Sequence, residues 1–198
     1  MVGSGTPSSY DEWVKTEGGL EHPTHMETLE TPEQQARIEW LVRHTFPSMS
    51  ILDVGCNRGY VLYKMANRRE GKFCGVDINI ENIELAMRTY YWIHFCQMDV
   101  LDGLQFDDNS YNIVVMADIL EHLPSDKMDY AIQEGLRVAK DKLLITIPYR
   151  QDLATCFKHQ WQPNPVALGM VHARLAMLAA RTMSECDGNF YYLEAFVD

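Results

Sequence analysis

One acid and two glycines stand in Ile51-Leu-Asp-Val-Gly-Cys-Asn-Arg-Gly-Tyr60, where an apolar run leads through Asp53, Gly55 and Gly59 into a helical pattern. A second apolar run ends on Asp77 within Gly75-Val-Asp-Ile-Asn79, about one βαβ half-unit later. An α/β protein presents an adenosine-bearing cofactor to the ends of its parallel strands in this way. Glycine spacing selects the cofactor. Three glycines in the form G-x-G-x-x-G would let a pyrophosphate approach the backbone at a helix N-terminus. Here Asn57 occupies the central position, and the carboxylate of Asp53 inside the turn would repel a diphosphate. An acid at that place suits a ligand carrying a cationic amine.

The run Asp53-Val-Gly55-Cys-Asn-Arg-Gly59 resembles the first motif of the class I S-adenosylmethionine-dependent methyltransferase superfamily, roughly (D/E)-x-G-x-x-x-G. The resemblance covers roughly residues 30–150. It implies S-adenosyl-L-methionine as cofactor, whose α-amino group and sulfonium are positive and call for acids and carbonyls in the cleft. It further implies that Asp53, Gly55, Cys56 and Gly59 belong to the cofactor loop, with Asp77 as the ribose ligand and Ile78 packed on the adenine. Asp99, in Gln97-Met-Asp-Val100, matches the position whose side chain reaches the adenine amino group, with Val100 supplying a backbone contact. Read from the residues alone, Gly55 allows a tight turn, Gly59 lets the next helix start against the strand, and Asn57 tolerates the left-handed conformation. Asp77 can accept both ribose hydroxyls; its alternative role is that of a helix N-terminal acid favoured by the macrodipole.

Ala117-Asp-Ile-Leu-Glu-His-Leu-Pro124 follows the fourth predicted strand and resembles the E-V-L-E-H-V segment of small-molecule methyltransferases. By that likeness the Ala117 backbone contacts the methionyl end and His122 lies near the acceptor as the catalytic residue. An unperturbed imidazole, with a pKa of roughly 6.5, suits deprotonation of a hydroxyl or amine; the competing role is a histidine that orders the loop. Asp118, Glu121 and His122 also stand at i, i+3 and i+4, so one helical face would carry all three, and His159 could join from a later loop. Carboxylates and imidazoles suit Mg²⁺, Mn²⁺ or Zn²⁺, and some quinone O-methyltransferases and RNA 3′-end methyltransferases hold a metal with a similar E-x-x-E-H pattern. The same string appears in many metal-free relatives, so no metal is assigned.

The elements that must position these residues follow from patterning. Thr31-Pro-Glu-Gln34 is a helix start with a Thr N-cap, Pro in the first turn and Gln at the capping-box position. Ile38, Leu41, Val42 and Phe46 then predict a helix over 32–46. Strands are expected at 50–54, 72–78, 93–97, 112–117 and 142–147, and helices at 58–69, 80–91, 126–139 and 166–183. A last strand is expected at 190–197, with no second strand visible beside it. The alternation predicts an α/β fold with a doubly wound, mostly parallel sheet and helices on both faces, Rossmann-like in the sense of the resemblance. Residues 1–30 read as an N-terminal tail and candidate lid carrying Tyr10, Trp13, His22 and His25, and residues 31–198 as a single methyltransferase domain. Tyr149, Phe157 and Trp161 follow the fifth strand, where aromatics can wall an acceptor or fill a core.

Composition narrows the partners. A chain of 198 residues with 46% hydrophobic and 23% charged residues fits one soluble domain. A net charge of −11 argues against a nucleic-acid or anionic-membrane partner; only Asn67-Arg-Arg69 hints at a basic patch. Five cysteines without a C-x-x-C pair, and no secretory signal, favour a cytoplasmic setting. The cysteines have no evident activating partner, which argues against a thiol intermediate. The expected activity is methyl transfer to an oxygen, nitrogen or carbon of a small-molecule acceptor. The rivals are a metal-assisted O-methyltransferase of RNA 3′ ends or quinone-like acceptors, a nicotinamide oxidoreductase, and a non-catalytic cofactor-binding module. The acceptor and the oligomeric state stay open at this level.

Overall fold

A computed structural model describes residues 31–46, 48–66, 70–149 and 163–197. In chain order the elements are α1 (Pro32–Arg43), β1 (Ile51–Val54), α2 (Tyr60–Ala66), β2 (Phe73–Asp77), α3 (Ile80–Thr89), β3 (His94–Gln97), β4 (Tyr111–Ala117), α4 (Met128–Val138), β5 (Ala139–Pro148), α5 (Pro165–Leu178), β6 (Arg181–Cys186) and β7 (Phe190–Phe196). Single 3₁₀ turns at Val100–Asp102 and Leu120–His122 follow β3 and β4. The seven strands form one sheet in the order β3-β2-β1-β4-β5-β7-β6, with β7 antiparallel to both β5 and β6 and the other pairings parallel. The order reverses between β1 and β4, and a crevice at the carboxyl ends of strands at such a point is where open α/β sheets bind ligands.

Strand side chains alternate between two packed layers. Leu52, Val54, Val114 and Met116 join Ala131 and Ile132 of α4 and Leu168, Val171 and Leu175 of α5. Ile51, Ile113, Val115 and Leu144 join Trp40 and Leu41 of α1, Leu62 and Met65 of α2, and Ile83 of α3. Central parallel strands are therefore apolar on both faces, as continuous Val/Ile/Leu runs require. Among the described residues, no helix is long and apolar enough to cross a membrane.

Several expectations need correction. Residues 181–183 are not the end of a helix: α5 stops at Leu178, and Arg181–Cys186 is an edge strand paired antiparallel with β7. The C-terminal antiparallel pair is thus complete. Its outer member escapes detection because nearly every residue of Arg-Thr-Met-Ser-Glu-Cys is exposed, leaving no buried alternation to read. The helix after the glycine loop begins at Tyr60, not 58, because Gly59 has φ +80. Thr31 does cap α1, its hydroxyl accepting the Gln34 N–H at 3.4 Å. Gln34, however, offers its Oε1 to Arg37 Nε at 2.9 Å. The segment 1–30, with Tyr10, Trp13, His22 and His25, lies outside the described residues, as do Phe157, His159 and Trp161.

Candidate functional site

β1 delivers Asp53 to the head of a loop that turns three times through the left-handed region. Gly55 has φ +76, Asn57 +49 and Gly59 +80. The loop is tied back to β2 by Gly55 and Cys56, whose N–H groups donate to the Val76 carbonyl at 2.8 and 2.9 Å. Close packing reinforces the need for glycine. A Cβ on Gly55 would stand 2.9 Å from Ile119 Cδ1, and one on Gly59 would stand 2.7 Å from the Phe95 ring. Gly59 therefore lets the chain approach the side chain of β3.

Asp77 closes β2 beneath this loop. Its Oδ2 accepts the Asn57 N–H at 2.8 Å and its Oδ1 the Asn79 N–H at 2.9 Å. Burial raises its carboxyl above the ordinary range, opposed by the hydrogen bonds from Asn79 and Asn57. The α3 N-terminus is capped by Asn79, which accepts from Glu81 and Asn82, so Asp77 serves the loop. Ile78 is half-buried beside it, and its carbonyl accepts Gln97 Nε2 at 2.9 Å. Asp99 caps the 3₁₀ turn after β3, its Oδ1 accepting the Leu101 N–H at 2.8 Å, and Val100 is buried behind it. Asp53, Gly55, Cys56, Gly59, Asp77, Ile78, Asp99 and Val100 thus lie on consecutive loops at the carboxyl ends of β1, β2 and β3.

The segment after β4 supplies the other wall. Ala117 ends β4, half-buried, and Asp118 follows with φ +55. That left-handed residue takes Asp118 off the helical face expected to join it to Glu121 and His122; only Leu120–His122 is helical, as a 3₁₀ turn. Asp118 instead turns to Thr146 at the end of β5, whose hydroxyl donates to Oδ1 at 2.7 Å, and to Arg37, whose Nη1 lies 3.3 Å from Oδ2. His122 is half-buried on the 3₁₀ turn. Among the described residues no set of three His, Cys, Asp or Glu side chains converges as metal ligands do; His159 lies outside them.

Electrostatics single out two acids. Asp53 is 1% exposed, and its Oδ2 has no hydrogen-bond partner among the described residues. Burial pushes its pKa up to about 7, against the pull of the Arg37 guanidinium and with a further push from Asp77. Glu121 is fully buried with both carboxylate oxygens lacking partners among the described residues. Burial, and then the Asp118 charge, hold its carboxyl well above the usual range. The Cys56 thiol is likewise pushed well up by burial and by the charges of Asp53 and Asp77, and burial raises Cys74 to about 11. Both thiols stay protonated, unsuited to nucleophilic attack.

Two residues of this cluster are missed by the motif-based reading. Arg37 lies on α1 at a position that reads as a polar surface residue, yet it is 3% exposed and spans Gln34, Asp118 and Thr146. Thr146 is an apparent interruption of an apolar strand, and burial there without a partner would be costly; that mismatch was its available clue.

Comparison with known proteins agrees with this geometry. Residues 51–142 match a family described as a methyltransferase domain. A protein named probable methyltransferase ltbC, from Aspergillus luteorubrus, is 27% identical over 127 residues, covering 58% of this chain and 45% of that protein. The chain therefore matches slightly under half the length of that curated relative. Among solved structures, a SAM dependent methyltransferase from Aquifex aeolicus superposes with a TM-score of 0.64 at 18% identity, covering 89% of this chain and 99% of that one. Magnesium protoporphyrin IX methyltransferase from Synechocystis PCC 6803, solved with bound SAH, gives 0.64 at 16% identity, covering 96% and 93%. The strand order, the glycine loop beneath Asp53 and the domain matched over residues 51–142 agree in a likeness to S-adenosylmethionine-dependent methyltransferases.

Proposed function

We propose that this chain transfers the methyl group of S-adenosylmethionine to an oxygen, nitrogen or carbon of a small-molecule acceptor. The observation that carries the reading is Asp53 Oδ2, a buried carboxylate oxygen at the head of the glycine loop with no partner among the described residues. Such an oxygen is costly until a donor or cation meets it, and the cofactor's α-ammonium is both. Asp77 keeps acceptor capacity, since each oxygen takes one backbone N–H and a carboxylate offers about four lone-pair sites. Ribose hydroxyls can share it. Ile78, Asp99 and Val100 would flank the adenine, and the Ala117 backbone the methionyl end. When bound, the cofactor supplies a methyl group already activated on a sulfonium, which leaves the chain's residues chiefly to position and desolvate. His122 would take the proton of an acceptor hydroxyl or amine. The net charge of −11 supports a small molecule over a nucleic acid as acceptor.

The test is a thermal-shift titration with S-adenosylmethionine, S-adenosylhomocysteine and NADH, repeated on Asp77→Ala. Stabilisation by the two sulfur ligands alone, weakened in the variant, is the expected result. Stabilisation by NADH alone, or no response to either sulfur ligand, would overturn the assignment.

A further inference from the structure

Arg37, which is buried, and Asp118, which is half-buried, make an ion pair that joins α1 to the far side of the site. A partly buried pair of this kind is weak evidence for stability, because desolvation offsets much of the attraction. Its placement is more informative. Asp118 is gripped from several sides. Its N–H donates to the Thr146 carbonyl at 2.9 Å, its Oδ1 accepts the Thr146 hydroxyl at 2.7 Å, and its Oδ2 faces Arg37 Nη1 at 3.3 Å. The guanidinium is aimed in turn: Nε donates to Gln34 Oε1 at 2.9 Å, and the group lies 5.5 Å from the centre of the Phe190 ring.

The residue held this way has φ +55, a conformation that costs an L-residue roughly 1–2 kcal/mol. The next residue, Ile119, packs on Gly55 so closely that a Cβ there would lie 2.9 Å from Cδ1. Contact thus runs without a break from Gln34 through Arg37, Asp118 and Ile119 to the glycine loop.

We propose that Arg37 is a positioning residue: acting through Asp118, it holds the turn after β4 in its left-handed bend against the Gly55 loop, so that α1 sets the geometry of the cofactor end of the site. The consequence for binding rests on the methyltransferase reading; the positioning itself does not. Arg37 also places a positive charge where it opposes the upward push of burial on Asp53 and Glu121, a second reason for a cation at this point.

Two readouts on the whole chain test this. Hydrogen exchange without ligand should show faster exchange at 118–122 and 55–59 in Arg37→Met, with α4 protection unchanged. Calorimetric titration with S-adenosylhomocysteine should show affinity lowered about tenfold, the order expected for one lost charge-assisted contact. The double variant Arg37→Met/Asp118→Asn should bind no more weakly than Asp118→Asn alone, since residues acting in series are not additive. Arg37→Lys should recover only part, because it keeps the charge without the planar fork. If Arg37→Met fails to fold, Thr146→Val loosens Asp118 from the other side and should give the same local exchange. Exchange raised uniformly, exchange at 118–122 unchanged, or additive affinity losses would each overturn the proposal. A parent protein that ignores S-adenosylhomocysteine while the exchange at 118–122 still responds to Arg37→Met would sink the cofactor reading and leave the positioning intact.

Discussion

The Asp77 carboxylate accepts the Asn57 N–H at 2.8 Å, so the acid that ends β2 also fixes the middle of the glycine loop. The other oxygen holds the Asn79 N–H at 2.9 Å. One side chain therefore organises the loop and, on the proposed reading, receives the ribose. Asp77→Ala removes both backbone contacts, each a hydrogen bond to a charged group worth roughly 1.5–3 kcal/mol. We expect a lowered Tm and S-adenosylhomocysteine affinity reduced at least about tenfold, with Asp77→Asn in between. Calorimetry across the three proteins checks the order, and equal affinities would remove Asp77 from the site.

Gly55 is constrained twice, by φ +76 and by Ile119. Gly55→Ala should destabilise the fold by roughly 1–2 kcal/mol from the backbone alone, and by more while Ile119 stays. Urea denaturation of Gly55→Ala with and without Ile119→Ala separates the parts. The second change should recover the steric share and leave the backbone share.

Asp53 makes a pH prediction whose sign can be worked out. Its folded pKa, about 7, lies above the ordinary aspartate value of 3.8, so between those values the folded protein holds a proton that the unfolded chain has released. Stability attributable to this group therefore falls as pH rises from about 4 to about 7 and is level above. Asp53→Asn should be more stable than the parent at pH 8 and gain little at pH 4, in thermal melts at both pH values. Affinity for S-adenosylhomocysteine should change the opposite way. It should rise through about pH 7 as Asp53 ionises, and Asn should abolish that rise.

His122 carries the proposed proton transfer. With an acceptor that turns over, His122→Gln should lower kcat by about 10²–10⁴-fold, the usual range for a general base, with S-adenosylhomocysteine affinity kept. A kcat that stays level across this substitution would assign His122 to ordering the loop.

The core of the α/β reading was legible because its signals are local. Asp53, Gly55, Gly59 and Asp77 sit where a strand meets a helix, and apolar runs such as Ile113–Met116 are buried on both sides. Where the reading failed, the signal was absent or ambiguous. Arg181–Cys186 is an exposed edge strand whose partner β7 decides its state, and nothing in its own side chains alternates strongly enough to reveal it. Spacing alone placed Asp118, Glu121 and His122 on one helical face, but spacing assumes helical dihedrals. Asp118 adopts φ +55 because Thr146 and Arg37, from distant parts of the chain, hold it there.

By itself, the sequence determined the parallel α/β architecture, the loop at the head of β1 and the acid that closes β2, since each follows from residue types within a few positions of one another. Tertiary structure alone decided that Arg37 enters the site, that Asp118 pairs with Arg37 and Thr146, and that Asp53 and Glu121 are buried acids with raised pKa values. The physical reason is that these properties depend on desolvation and on charges brought together from α1, β4 and β5, and through-space electrostatics in a packed interior is set by distances that no local pattern encodes.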